Sequence, residues 1–222
     1  MKYCAVIFDL DGTVLINEEI YSQAFLEVLK KHGVSPRQLG DEHPQTPGIG
    51  LRENWEALKK RHTLPQNLSL DQLVHETQDI YHLNLDRVKI RPGFYQLYEA
   101  LSRQQILLAL ATSNDRWLVE DELKDLDLEK YFSSLVTGEE VVYRKPAPDI
   151  FLEAAKKLGV EPAGCVVIED SVAGVEAAKQ AGMKCVVVLG SFTQEVDFPQ
   201  ADLVVESFDK LSPKVLDKLF AF

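Results

Sequence analysis

Cysteine is scarce in this 222-residue chain: Cys4, Cys165 and Cys185 are all it has, an odd number with no Cys-x-x-Cys spacing. That argues against a disulfide framework and a thiolate zinc site, and it suits a reducing compartment. Each cysteine sits in an apolar run and is expected to act as a small buried hydrophobe. Positive charge is also short, with 24 Lys and Arg against 35 Asp and Glu and a formal net charge of −11. Neither a nucleic acid nor an anionic membrane is therefore expected as a partner, and an anionic substrate would need a local site to hold it. No stretch approaches the ~18 apolar residues of a membrane span. The first apolar run, residues 3–8, is broken by Asp9 and is too short for a signal peptide, so a cytoplasmic protein is expected. Repeats and low-complexity segments are absent as well. A chain of this length buries about 70% of its unfolded surface and needs no disulfide or structural metal to fold.

What is present is strand and helix in alternation, interrupted once. Residues 4–8 read as a buried strand running into the polar loop Asp9-Leu10-Asp11-Gly12. From Ile16 to about Val88 the pattern is helical, over 18–32, 52–61 and 70–83, with a Gly- and Pro-containing loop over 40–50 and no convincing strand. After Arg91-Pro92-Gly93 the alternation resumes. Helices are expected over 94–104, 117–126, 148–158, 172–181 and 214–220, and strands over 106–111, 135–137, 165–168, 184–189 and 201–205. This pattern predicts an α/β protein with a mostly parallel sheet covered on both faces. Ligands of such sheets sit beyond the carboxyl ends of the strands. The expected division is a core of residues 1–15 and 89–222 with a helical domain, 16–88, inserted into it.

The strand ends carry the chemistry. Asp9 and Asp11 are two apart in an extended segment, so their carboxylates point the same way and invite a cation or a proton. The strand over 106–111 ends in Thr112-Ser113-Asn114, three hydrogen-bonding side chains suited to an oxyanion. The strand over 165–168 ends in Glu169-Asp170-Ser171, and between them lies Arg144-Lys145-Pro146-Ala147-Pro148, a lysine ahead of two stiffening prolines. Taken singly, these are turns and helix caps. Together they present hard carboxylate oxygens and one lysine, which suit Mg²⁺ and a phosphoryl group.

These segments, in this order, resemble the four motifs of the haloacid dehalogenase superfamily over nearly the whole chain. The resemblance implies a doubly wound, Rossmann-like α/β core with an inserted α-helical cap. It implies that Asp9 is a nucleophile forming an aspartyl-phosphate, and that Asp11 protonates the leaving oxygen and later deprotonates water. Asp9, Asp170 and the main-chain carbonyl of Asp11 would hold Mg²⁺, with Glu169 behind them, while Thr112 and Lys145 bind the transferring phosphoryl group. Asp11 argues against dehalogenation and phosphonate hydrolysis, because family members with those activities lack it.

A Mg²⁺-dependent phosphatase of a small phosphorylated metabolite, a sugar or polyol phosphate, is the expected activity. The alternatives are a phosphosugar mutase like β-phosphoglucomutase and a protein that binds a phosphorylated metabolite without turnover. The mutase uses a cap histidine where Tyr21 stands and a cap lysine, whereas residues 63–86 contain no Lys or Arg. Expected contacts to the leaving group are Tyr21, the loop Gly48 to Gly50, Arg52 and Trp55, while Ser113 and Asn114 are expected to bind substrate from the core; packing inside the cap is the alternative role for Tyr21 and Trp55. Gly48-Ile49-Gly50 follows no strand and is no dinucleotide motif. His32, His43, His62, His75 and His82 are expected at the surface. Asp79 stands where a zinc motif starting at His75 would need its second histidine. Ile16-Asn17-Glu18 departs from the Asp-Ser or Asp-Thr that family phosphatases often carry at the cap hinge. Monomer and homodimer are left open.

Overall fold

Four apolar residues, Ala5–Phe8, form strand β1, which is buried along its whole length. The computed structural model describes residues 3–35, 46, 48–61, 68–190 and 193–221. In it β1 is flanked by β4 (Leu107–Ala111) and β6 (Cys165–Glu169) in a six-stranded sheet. Beyond β4 lies β5 (Ser134–Val136), and beyond β6 lie β7 (Lys184–Val188) and β8 (Leu203–Val205). Every ladder in this sheet is parallel, and Phe8 is in register with both Leu110 and Ile168.

A parallel sheet must be covered on both faces, and alternate residues feed two separate cores. Val6, Phe8, Leu108, Leu110, Val166 and Ile168 pack with α4 (Phe94–Ser102), α5 (Arg116–Asp125) and α8 (Pro213–Asp217). Ala5, Ile7, Ala109, Ala111, Val167 and Cys185 pack with α6 (Asp149–Leu158) and α7 (Val172–Gln180). This is the doubly wound α/β arrangement expected. The sheet's connections diverge on either side of β1, so the crevice at its carboxyl end is the topological switch point.

Among the described residues, the α-helices between β2 (Leu15–Ile16) and β3 (Lys89–Ile90) are α1 (Glu18–Lys31), α2 (Leu51–Arg61) and α3 (Leu70–His82). β2 and β3 pair antiparallel, and the Arg91 N–H donates to the Val14 carbonyl at 2.8 Å beside them. This two-stranded neck has no counterpart in the sequence reading, because strands of two residues carry no periodicity. Within the insertion Trp55 is fully buried, packs at 4.8 Å against Phe25 and donates from Nε1 to Thr77 Oγ1 at 2.9 Å, in a cluster continuous with the core on one face of the sheet.

Elsewhere the elements differ from expectation by a residue or two at their ends, and the last helix breaks into α8 and a 3₁₀ turn over Lys218–Phe220. Two corrections concern single residues. Cys4 is exposed at the amino end of β1, although its N–H donates to the Gly164 carbonyl and its carbonyl accepts from the Leu107 N–H, whereas Cys165 and Cys185 are buried. His32 is half-buried, drawn from the end of α1 onto Glu76 of α3 at 2.8 Å. His75 and His82 are exposed beside Asp79 and Asp121, and His43 and His62 lie outside the described residues. Among the described residues no helix is long and apolar enough to cross a membrane.

Candidate active site

The ladder between β1 and β6 runs one residue past β1, with the Asp9 N–H donating to the Ile168 carbonyl at 2.9 Å. Asp9 therefore leaves the sheet at its carboxyl edge, 4% exposed. Lys145 reaches the same point ahead of α6, with Nζ 2.5 Å from Asp9 Oδ1 and 2.6 Å from Glu169 Oε1 and 4.9 Å from the Phe151 ring centroid. The other Glu169 oxygen accepts from the N–H groups of Asp170 and Ser171, both at 2.9 Å, and from Ser171 Oγ at 2.8 Å. Ser171 also caps α7 by accepting from the Gly174 N–H. Gly12 has φ of +74°, and a Cβ there would clash with the Asp170 carboxylate, so glycine lets the first loop press against the third strand end.

Charge in this cluster is unbalanced. One carboxylate oxygen from each of Asp9, Glu169 and Asp170 lies within 4.8 Å of the others, all three residues are buried, and one ammonium stands among them. Burial opposes a charge on Lys145, yet Asp9 and Glu169 hold its ammonium above the ordinary lysine range. Burial, then Glu169 and Asp9, push the Asp170 carboxyl well above the ordinary carboxylate range, with Arg91 opposing. A divalent cation with hard-oxygen preference would relieve that excess, so the donor set fits Mg²⁺.

Asp11 is held differently. Its Oδ1 accepts from Asn17 Nδ2 at 2.7 Å, and its Oδ2 accepts from Asn114 Nδ2 at 2.9 Å and Thr112 Oγ1 at 3.2 Å. Burial raises its carboxyl, and the bonds from Asn17 and Thr112 oppose the rise. Both asparagine amides also donate to a tyrosine hydroxyl at 2.7 Å, Asn17 to Tyr81 and Asn114 to Tyr21. The two tyrosine rings stack with centroids 3.8 Å apart.

A cavity of about 30 Å³ lies between these groups, lined by Asp9, Asp11, Tyr21, Gly48, Ile49, Leu51, Thr112, Ser113 and Asn114. Ser113 Oγ is buried and makes no hydrogen bond among the described residues. Arg52 lines an adjoining pocket of about 200 Å³ with Gln78, Asp115, Glu139 and Arg144, and is ion-paired to Asp71. Gly50 lines neither pocket; its carbonyl accepts from Asn54 Nδ2 at 3.2 Å. Trp55 is buried within the insertion, so of its two candidate roles the structure shows packing.

Other residues of the site escaped the sequence reading. Arg91 donates from Nε to the Thr13 carbonyl at 2.8 Å, from one terminal nitrogen to Leu189 at 3.2 Å and from the other to Gly12, tying the first loop to the neck. Ahead of Pro-Gly it reads only as a loop residue. Asn17, which marked a departure from the family pattern, is a direct partner of Asp11. That departure, between Ile16 and Glu18, is the signal the sequence offers for it.

The family model described as haloacid dehalogenase-like hydrolase matches residues 6–188. A phosphorylated carbohydrates phosphatase of Thermotoga maritima is 36% identical over 81% of this chain and 82% of its own length. Hexitol phosphatase B of Escherichia coli is 30% identical, covering 96% of both chains. The crystal structure of CbbY from Rhodobacter sphaeroides in complex with phosphate superposes with a TM-score of 0.83 at 29% identity, covering 94% of this chain and 96% of that one. With more than half of its length inside the family model, and a switch-point crevice lined by all four of the motif segments, the chain belongs to the haloacid dehalogenase-like hydrolases.

Proposed function

We propose that this protein is a Mg²⁺-dependent phosphatase of a sugar or polyol phosphate, working through an aspartyl-phosphate on Asp9. One observation carries the reading: Asp9 and Asp11 face one small cavity with different partners, an ammonium for Asp9 and neutral donors for Asp11. Burial, with Glu169 and Asp11, pushes the Asp9 carboxyl well above the ordinary carboxylate range, and the buried Lys145 ammonium against it opposes that push and favours the anionic nucleophile, whereas Asp11 lies among neutral donors that leave it free to exchange a proton. Relatives named for phosphorylated carbohydrates and hexitols support the substrate class.

An Asp9 oxygen attacks phosphorus and the bond from phosphorus to the alcohol oxygen breaks, while Asp11 gives its proton to that oxygen. Asp11 then takes a proton from the water that attacks the aspartyl-phosphate, which releases phosphate and restores Asp9. Lys145 and Thr112 hold the phosphoryl oxygens, and Ser113 and Asn114 line their approach. Asp9, Asp170 and the Asp11 carbonyl would hold Mg²⁺, backed by Glu169. The cation would offset phosphoryl charge, the main demand of such a transfer.

Residues 16–88 serve as a cap on a core of residues 1–15 and 89–222. A cavity of about 30 Å³ has the volume of a water rather than of a sugar phosphate, so the cap parts from the core to admit substrate. Tyr21, with the loop at Gly48 and Ile49, then meets the leaving group, and Arg52 borders it from the adjoining pocket. Tyr21 stands where the mutase has a histidine, and Arg52 is already paired with Asp71, which favours hydrolysis over retention of a bisphosphate.

The test is phosphate release from sugar, polyol, glycolate and nucleotide phosphates, with Mg²⁺ or a chelator and with Asp9→Asn as control. Metal-dependent release from sugar or polyol phosphates, lost in the variant, is expected. Release that survives Asp9→Asn would overturn the mechanism. Interconversion of sugar 1- and 6-phosphates primed by a bisphosphate, without net release, would replace the phosphatase with a mutase.

A further inference from the structure

Glu122 is a carboxyl that the mechanism above does not use, and nothing in its packing calls for one. It lies on α5, 1% exposed, and its Oε2 makes no hydrogen bond among the described residues. An orphaned carboxyl oxygen in a core is costly, and leucine or glutamine would fill the same space. Its Oε1 has one partner, the hydroxyl of Tyr81, which is fully buried on α3 of the insertion.

The direction of these bonds can be worked out atom by atom. The Asn17 amide has two N–H donors; one goes to Asp11 Oδ1 and the other to the Tyr81 oxygen, both at 2.7 Å. Asn17 Oδ1 accepts from the Gly12 N–H at 3.2 Å, which fixes the amide against a flip. The Tyr81 oxygen thus accepts from Asn17, and its own hydrogen goes to Glu122. On the other side of Asp11, Asn114 makes the matching pair of bonds to Asp11 and to Tyr21, whose ring lies on that of Tyr81 at an interplanar angle of 8°. The Asp11 carboxyl is therefore gripped between two amides, each backed by one of two stacked tyrosines from the insertion. The Tyr81 side is anchored onward, to Glu122 on a core helix.

We propose that Tyr81 and Glu122 are positioning residues for Asp11: the bond between them, which exists only while the insertion is docked on α5, fixes Asn17 and thereby aims Asp11 at the leaving oxygen. Docking of the insertion and readiness of the acid are then one event. The inference rests on the reading of Asp11 as acid and base, and goes beyond it by naming what sets its aim.

A misaimed acid is felt only by leaving groups that need a proton. An alkoxide leaves poorly without one, while a nitrophenolate leaves without help. The test is kcat/KM, which reports the step up to alcohol release, for a hexitol phosphate and p-nitrophenyl phosphate in wild type, Tyr81→Phe, Glu122→Leu, Glu122→Gln and Asp11→Asn. General acid catalysis is worth roughly 10²–10⁴-fold, so Tyr81→Phe and Glu122→Leu should cost the alkyl substrate about tenfold or more while the aryl substrate changes little. Glu122→Gln keeps an accepting carbonyl and should recover most of what Glu122→Leu loses. Equal losses on both substrates, or none on either, from Tyr81→Phe would overturn the inference even if Glu122→Leu fails to fold. Asp11→Asn separates the two claims. If it discriminates between the substrates and Tyr81→Phe does not, the inference alone falls; if it treats both alike, the reading of Asp11 falls and takes the inference with it.

Discussion

Replacing Lys145 by methionine tests the electrostatics of the site most severely, since it removes the one ammonium between Asp9 and Glu169 at nearly constant volume. Both contacts are short, 2.5 and 2.6 Å, and the lysine side chain has no exposed surface, so solvent screening does not soften the loss. Removing one partner of a buried ion pair costs about 3–5 kcal/mol, because the other charge is left without compensation. Against a total stability of about 5–15 kcal/mol this is a large fraction. With a urea slope of about 2 kcal/mol/M, a loss of about 4 kcal/mol lowers the unfolding midpoint by about 2 M. Mg²⁺ should narrow the gap, because three carboxylates relieved of an ammonium hold a cation more tightly. Equilibrium urea unfolding with and without Mg²⁺ measures both effects. A change below about 1 kcal/mol, or a gain in stability, would refute the charge balance argued here.

Three further outcomes follow from the same geometry. Asp170→Asn removes a carboxylate charge from the acidic cluster, so the Mg²⁺ dependence of phosphate release should move to at least about tenfold higher concentration, the equivalent of ~1.4 kcal/mol; an unchanged titration would remove Asp170 from the proposed metal site. Burial, then the charge of Asp11, hold Glu122 well above the ordinary carboxylate range, so the fold prefers it protonated. Its contribution is full below the unfolded value of about 4.3 and is lost as pH rises through the folded value. Glu122→Gln should accordingly gain thermal stability over wild type as pH rises from about 4 to 8, and a constant difference would contradict the assignment. Trp55→Phe loses the bond to Thr77 and should cost about 1–2 kcal/mol in urea with KM little changed; a marked rise in KM would return Trp55 to the substrate site.

What could be read from the sequence were the places where an apolar run ends in polar residues. Asp9, Thr112 and Glu169-Asp170 each follow a buried strand, and a parallel sheet brings such ends together, so these residues converge as the alternation implies. What could not be read are contacts made by single residues across long stretches of chain. Glu122 stands in Glu120-Asp121-Glu122 and looks like part of a solvated helix face, yet it is the one of the three turned fully inward. Tyr81 sits among alternating polar and apolar residues of α3 with nothing to say that its hydroxyl meets the core. Arg91 gains its meaning only when the neck closes on the first loop. Arg52 and Trp55, a cationic and an aromatic residue beside a glycine loop, invite a ligand in the sequence; in the structure Arg52 pairs with Asp71 while bordering the adjoining pocket, and Trp55 packs on Phe25 and donates to Thr77.

The central claim is that Asp9 carries the phosphoryl group, and the most direct measurement is acid quenching of the enzyme during turnover of a labelled substrate. Asp11→Asn would be run alongside, because it should slow release from the intermediate. The quenched enzyme should carry up to one phosphoryl group per chain in a Mg²⁺-dependent manner, and hydride reduction, which expels that phosphate and leaves homoserine in place of the aspartate, should place it at position 9 by peptide mapping. Turnover with no phosphoryl group on the enzyme, or homoserine at another position, would contradict the account.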